Sequence, residues 1–85
     1  MTEIIDIKMY KEIIKEQHLI LICADYCGLS KYFLNNIDKI KFKNKYIIKN
    51  NNNLFKNLLL LNTPTIIYNK KLIYPDNIEF INKIK

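Results

Sequence analysis

Leu19-Ile20-Leu21-Ile22-Cys23 is an apolar run with no polar interruption and only the length of a strand. Strand side chains alternate between two faces, so a run apolar at every position needs cover on both. A chain built around it is expected in the α/β class, with this strand central and covered on both faces. A few residues later the apolar period becomes helical: from Gly28 onward Leu29, Phe33, Ile37 and Ile40 share one side, while Lys31, Asn35, Asp38 and Lys39 fall elsewhere. Strand, short loop, helix is therefore the expected order, and Cys27 stands where the helix begins. A cysteine there sits in the positive field of aligned peptide dipoles beside free backbone N–H groups, and both favour thiolate over thiol.

The remaining elements follow from the same two periods. Glu3 to Ile7, short and rich in Ile, is expected as a strand, with Asp6 positioned to cap a helix carrying Tyr10, Ile13, Ile14 and Gln17. Tyr46-Ile47-Ile48 is expected as a third strand, closed by Asn50 to Asn53, whose amides favour turns and helix caps. Leu54, Phe55, Leu58, Leu59 and Leu61 predict a short apolar helix leading to Thr63-Pro64. Thr65–Tyr68 and Lys71–Tyr74 flank Asn69-Lys70 and predict an antiparallel hairpin, because Asn tolerates the positive φ of a two-residue turn. Asp76 with Glu79 three residues later resembles a capping box opening a last helix that packs Ile78, Ile81 and Ile84 inward, with Lys83 and Lys85 at its C-terminal dipole. The order is β-α-β-α-β-α-β-β-α.

Length and composition narrow the class further. A chain of 85 residues, 49% hydrophobic, is enough for a single domain spanning 1–85 with a modest core. No apolar segment reaches the roughly 20 residues that span a bilayer, and Met1 to Asp6 is too polar to start a secretory signal. The expectation is a soluble cytoplasmic monomer with no membrane partner. The formal charge of +6 would suit nucleic acid or an acidic surface, but Lys, Ile and Asn together make up about half of the chain, a bias that explains the lysines equally well. The densest basic stretch, Lys39, Lys41, Lys43, Lys45 and Lys49, is expected on the end of one helix and its exit loop, where the stacking aromatics and bidentate Arg of a nucleic-acid site are poorly represented. Two cysteines and His18 make a poor metal set, so no metal is expected.

Ala24-Asp25-Tyr26-Cys27-Gly28-Leu29-Ser30-Lys31 resembles the thioredoxin active-site segment Ala-Glu-Trp-Cys-Gly-Pro-Cys-Lys, with Cys27 on the nucleophile and Ser30 on the second cysteine. Thr63-Pro64-Thr65 resembles the cis-proline loop that enters the fourth strand of the same fold. The resemblance covers essentially the whole chain and implies a thioredoxin fold: a mixed central sheet, helices on both faces, and a hairpin at one edge. It also implies a groove in which Tyr26, Gly28 and Leu29 on one side and Thr63 and Pro64 on the other receive an extended substrate peptide. Glutaredoxin is the nearest competitor, since its single-thiol branch carries Cys-Gly-Phe-Ser, close to Cys27-Gly28-Leu29-Ser30. That branch usually lacks the first β-α unit expected here, and its Gly-Gly-x-Asp-like glutathione grip falls on Tyr74-Pro75-Asp76-Asn77, which has no glycine.

In the resembling family the first thiolate attacks a disulfide and the second cysteine resolves the mixed disulfide. Ser30 cannot take that second role. The resemblance therefore implies a protein that exchanges disulfides through Cys27 alone, with a protein thiol or disulfide as partner, glutathione as co-substrate, and no resident cofactor. The alternatives are a non-catalytic interaction module on the same fold and a monothiol glutaredoxin-like, glutathione-dependent protein. Other family positions also depart: the buried acid falls on Leu21, the tryptophan before the active-site Ala on Cys23, and the proline between the cysteines on Leu29. Cys23 is open to two readings, a small core hydrophobe or an alternative resolving thiol, the second requiring Cα atoms within roughly 7 Å.

Overall fold

The computed structural model describes residues 2–60 and 62–84. Its elements are β1 (Thr2–Glu3), α1 (Ile7–Ile13), β2 (Leu19–Cys23), α2 (Gly28–Asn35), a 3₁₀ turn (Ile37–Lys39), β3 (Lys45–Lys49), α3 (Asn52–Asn57), β4 (Thr65–Tyr68), β5 (Lys71–Ile73) and α4 (Ile78–Lys83). The strands form one sheet in the order β1-β3-β2-β4-β5. β1 and β2 both run parallel to β3, whereas β4 runs antiparallel to β2 and to β5.

β2 is the axis of the fold because its two faces hold two separate cores. Leu19, Leu21 and Cys23 point to one side and pack with Phe33, Ile40, Ile66, Ile78 and Ile81 beneath α2 and α4. Ile20 and Ile22 point to the other and pack with Ile4, Ile13, Ile48, Leu54 and Ile67 beneath α1 and α3. All five β2 residues are buried, as the uninterrupted apolar run demanded. Each such side chain contributes roughly 1.5–3 kcal/mol by leaving water.

Several boundaries differ from the sequence expectation, each for a local reason. The first strand is two residues long, because Asp6 turns the chain: its Oδ1 accepts from the Met9 amide at 2.8 Å, and Ile7 already belongs to α1. Ile4 still extends the pairing by donating to the Ile47 carbonyl at 2.7 Å. α1 stops at Ile13, with Ile14 as its cap, so Gln17 lies beyond the helix.

The stripe on α2 is also shifted. Asn36 breaks the helix (φ −119°, ψ 25°), and the phase that buries Phe33 buries Ser30 rather than Leu29, which is 41% exposed. Lys45 repairs part of the break by donating to the carbonyls of Ile37 and Ile40 at 3.2 and 2.9 Å. Lys45 and Lys49 therefore lie on β3, not on a helix end.

α3 is capped by the Asn51 side chain on the Leu54 amide at 3.0 Å and ends before Leu58. Leu59, expected within that helix, instead adopts φ 56° and is 78% exposed. The Leu60 amide reaches the Phe55 carbonyl at 2.8 Å and the Leu59 amide the Lys56 carbonyl at 3.2 Å, the pair of bonds that closes a helix through a left-handed residue. Leu61, expected in the same helix, lies outside the described residues.

The hairpin turn has Asn69 and Lys70 both at positive φ, 53° and 62°, as a two-residue turn matching strand twist requires. β5 ends at Ile73, one residue earlier than expected. The last helix is capped by Asn77, not Asp76: its Oδ1 accepts from the Phe80 amide at 2.8 Å, which moves the start one residue on. Lys83 lies in its last turn; Lys85 lies outside the described residues. Asn82 ties α4 to the loop after the 3₁₀ turn, accepting from the Lys41 amide at 2.7 Å and donating to the Lys39 carbonyl at 3.0 Å. No helix among the described residues is long and apolar enough to cross a membrane.

Candidate functional site

The site is assembled where β2 ends. The Cys27 amide donates to the Ala24 carbonyl at 3.1 Å, a tight turn that reverses the chain, and the Lys31 amide donates to the Cys27 carbonyl at 3.1 Å, the first bond of α2. Cys27 is thus the N-cap residue, extended at φ −105° and ψ 118°. Its thiol donates to the carbonyl of Thr63, with Sγ 3.3 Å from the oxygen. The Thr63–Pro64 peptide bond is cis and stands at the entrance to β4.

Ser30 lies one turn into α2, fully buried, with Oγ accepting from the Ala24 amide at 3.3 Å. Its hydroxyl is the foremost cause of a Cys27 acidity above that of an ordinary thiol; the Ser30 amide acts in the same sense, desolvation acts against it, and the Thr63 side chain and Leu29 amide add smaller help. These amides occupy the second and third positions of the helix, where an N-cap side chain meets its donors. As a thiol Cys27 donates to the Thr63 carbonyl, and as a thiolate it accepts from the Ser30 hydroxyl and the first amides of the helix.

The same hydroxyl also faces Cys23. Burial pushes the Cys23 thiol up to about 12, with the Cys27 charge adding to the rise and the Ser30 hydroxyl and Lys49 opposing it. Both cysteines are free, one buried and the other partly exposed. At neutral pH the pair is therefore asymmetric: Cys27 is the acidic, accessible sulfur and Cys23 the protonated, enclosed one.

The other residues singled out from sequence form the rim. Tyr26 is 82% exposed, Leu29 is exposed, and a side-chain carbon built on Gly28 would meet nothing within 4 Å, so one flank of Cys27 is open to an approaching partner. Pro64 is buried beneath the opposite flank and Thr63 is half-buried. The fold brings Cys27, Ser30 and Thr63 into contact; Tyr26, Gly28 and Leu29 join them through the chain. His18 pairs with Glu16 at 2.9 Å before the far end of β2, on the order of 15 Å from Cys23 along the strand, and takes no part.

Two residues of this region were not identified from sequence. Asn50, the first residue past β3, has φ 52°; its Oδ1 accepts from the Asp25 amide at 2.7 Å, and its own amide donates to the Cys23 carbonyl at 3.1 Å. The signal was an Asn directly after a strand, hidden inside a tract of four. Tyr74 is exposed and follows Ile73, which pairs with Ile66, so it leaves the sheet at the end where Thr63-Pro64 enters. Only the hairpin register places it there.

Two surface hollows of about 410 and 520 Å³ lie around Tyr46 on the β1 side, away from Cys27. The thiol sits on an open rim instead. Among the described residues no group of three or more His, Cys, Asp or Glu side chains gathers to hold a metal ion.

A mixed sheet in this order, helices on both faces, and a cis-proline loop touching the residue that caps the second helix define the thioredoxin fold. The fold expected from the resemblance is the fold observed. In particular, the crystal structure of thioredoxin from Trypanosoma brucei brucei is similar to this chain, with a TM-score of 0.67 at 18% identity, covering 86% of this chain and 74% of that one. No protein-family model and no curated protein sequence matches the chain.

Proposed function

We propose that the protein carries out thiol-disulfide exchange through Cys27 alone. The observation that carries this reading is the contact of the Cys27 thiol with the Thr63 carbonyl, beside a cis proline and above a buried hydroxyl where a second thiol would complete a dithiol site. The Cys27 thiolate attacks one sulfur of a partner disulfide, a new S–S bond forms, and the partner's other sulfur leaves as thiolate, with no net oxidation. Ser30 has no sulfur to displace the partner, and Cys23 is held as a thiol. The mixed disulfide therefore persists until a thiol from outside this chain attacks it. Glutathione, or a second thiol of the partner protein, supplies that step.

The test is the rate of Cys27 alkylation against pH, read by mass spectrometry with Cys23 as internal control and oxidised glutathione in a parallel series. A profile shifted below that of an ordinary thiol, with a glutathione adduct on Cys27 alone, is expected. An ordinary profile without adduct overturns the reading. In that case the exposed rim of Tyr26 and Leu29 favours the second reading, a binding module on the same fold that has given up exchange.

A further inference from the structure

We infer that Asn50 is a positioning residue for Cys27, a clamp that holds the loop between β2 and α2 from the neighbouring strand. The inference rests on the reading of Cys27 as the exchanging thiol. Asn50 grips that loop at two points with one residue between them. Its backbone amide continues the β2–β3 ladder by donating to the Cys23 carbonyl at 3.1 Å, one step past the Cys23–Lys49 pair. Its side chain then accepts from the Asp25 amide at 2.7 Å. Between them lies Ala24, which supplies the carbonyl that binds the Cys27 amide and the amide that binds Ser30 Oγ. Two of the hydrogen bonds that shape the turn under the thiol therefore start from a residue flanked by the two that Asn50 holds.

The choice of Asn follows from two demands made at once. The backbone is left-handed at φ 52°, which Gly, Asn and Asp tolerate and branched or bulky residues do not. The Asp25 amide needs an acceptor on a side chain short enough to reach back from that conformation. Glycine meets only the first demand, and Asn or Asp meets both. Lys49, whose Nζ lies 4.0 Å from Asp25 Oδ1 with both side chains exposed, adds little to the grip.

Asn50→Gly and Asn50→Asp separate the side-chain bond from the backbone conformation. In Asn50→Gly the left-handed turn and the bond to Cys23 remain while the Asp25 amide loses its acceptor. Cys27 alkylation at pH 7 is expected to fall about two- to tenfold, the range a single hydrogen bond can shift a local equilibrium, with the pH profile displaced upward. Asn50→Asp is expected to restore both. In the unmodified protein the Asp25 amide is expected to be protected from hydrogen exchange although its side chain is exposed, a readout that needs no variant to fold. An unprotected Asp25 amide, or a glycine variant with the native Cys27 profile, overturns the inference. So does an aspartate variant that fails to rescue. Should Cys27 of the unmodified protein alkylate as an ordinary thiol, the exchange reading fails first, and the exchange rate of the Asp25 amide still reports separately on whether the clamp exists.

Discussion

The sulfur of Cys27 meets the carbonyl of Thr63 at 3.3 Å across 36 residues of chain. The contact joins the start of α2 to the loop entering β4, two segments brought together because β2 and β4 are hydrogen-bonded neighbours with Ile22 opposite Thr65.

Removal of the Ser30 hydroxyl should make Cys27 a weaker acid. In Ser30→Ala the foremost cause of the lowered value is gone, and the alkylation profile is expected to move to higher pH. The buried Ala24 amide also loses its acceptor, at a cost of about 1–3 kcal/mol in denaturant unfolding. A profile unchanged by the substitution would show that the hydroxyl does not reach the thiolate.

Ser30→Cys supplies the missing sulfur in the same buried place. A glutathione mixed disulfide on Cys27 of the unsubstituted protein, which brings no second thiol with it, should survive until an external thiol is added, whereas in Ser30→Cys it should release glutathione unaided. The lifetime of a trapped adduct, followed by intact mass, reads the difference.

Cys23 should link stability to alkaline pH. Its folded value of about 12 exceeds the unfolded 9.0, so its contribution is complete below pH 9 and is lost as pH rises toward 12. The gap bounds the effect at roughly 4 kcal/mol. Cys27 acts in the opposite sense, since a folded value below the unfolded one adds stability that is present above pH 9 and lost as pH falls through the folded value. Denaturant midpoints between pH 8 and 11 should decline less steeply in Cys23→Ala than in the unsubstituted protein.

Leu59→Gly should stabilise the protein. The left-handed residue that closes α3 is a leucine with 78% of its surface exposed, so its side chain contributes little packing while its conformation costs about 1–2 kcal/mol. A rise in thermal midpoint is expected, and a fall would mean that the leucine makes contacts worth more than the strain.

The two candidate caps of α4 should separate cleanly. Asn77→Ala is expected to lose about 0.5–2 kcal/mol and Asp76→Ala to stay near neutral, because only Asn77 bonds the Phe80 amide. The reverse ranking by chemical denaturation would restore Asp76 as the cap.

Residue patterns alone determined the element order, the two-sided burial of β2 and the position of Cys27 at a helix start. Those features depend on hydrophobic period and on near neighbours in the chain, both visible in a string of residues. Tertiary structure decided the rest. The burial of Ser30 in place of Leu29 depends on how the first turn of α2 packs against the sheet. The meeting of Thr63 with Cys27, the arrival of Tyr74 at the same end of the sheet, and the reach of Asn50 to Asp25 all depend on strand order and register. Register is a choice among long-range pairings whose competing energies no local pattern contains, so residue patterns alone locate the thiol, while Thr63 and Pro64 are expected beside it only through the family resemblance and the reach of Asn50 and Tyr74 is not expected at all.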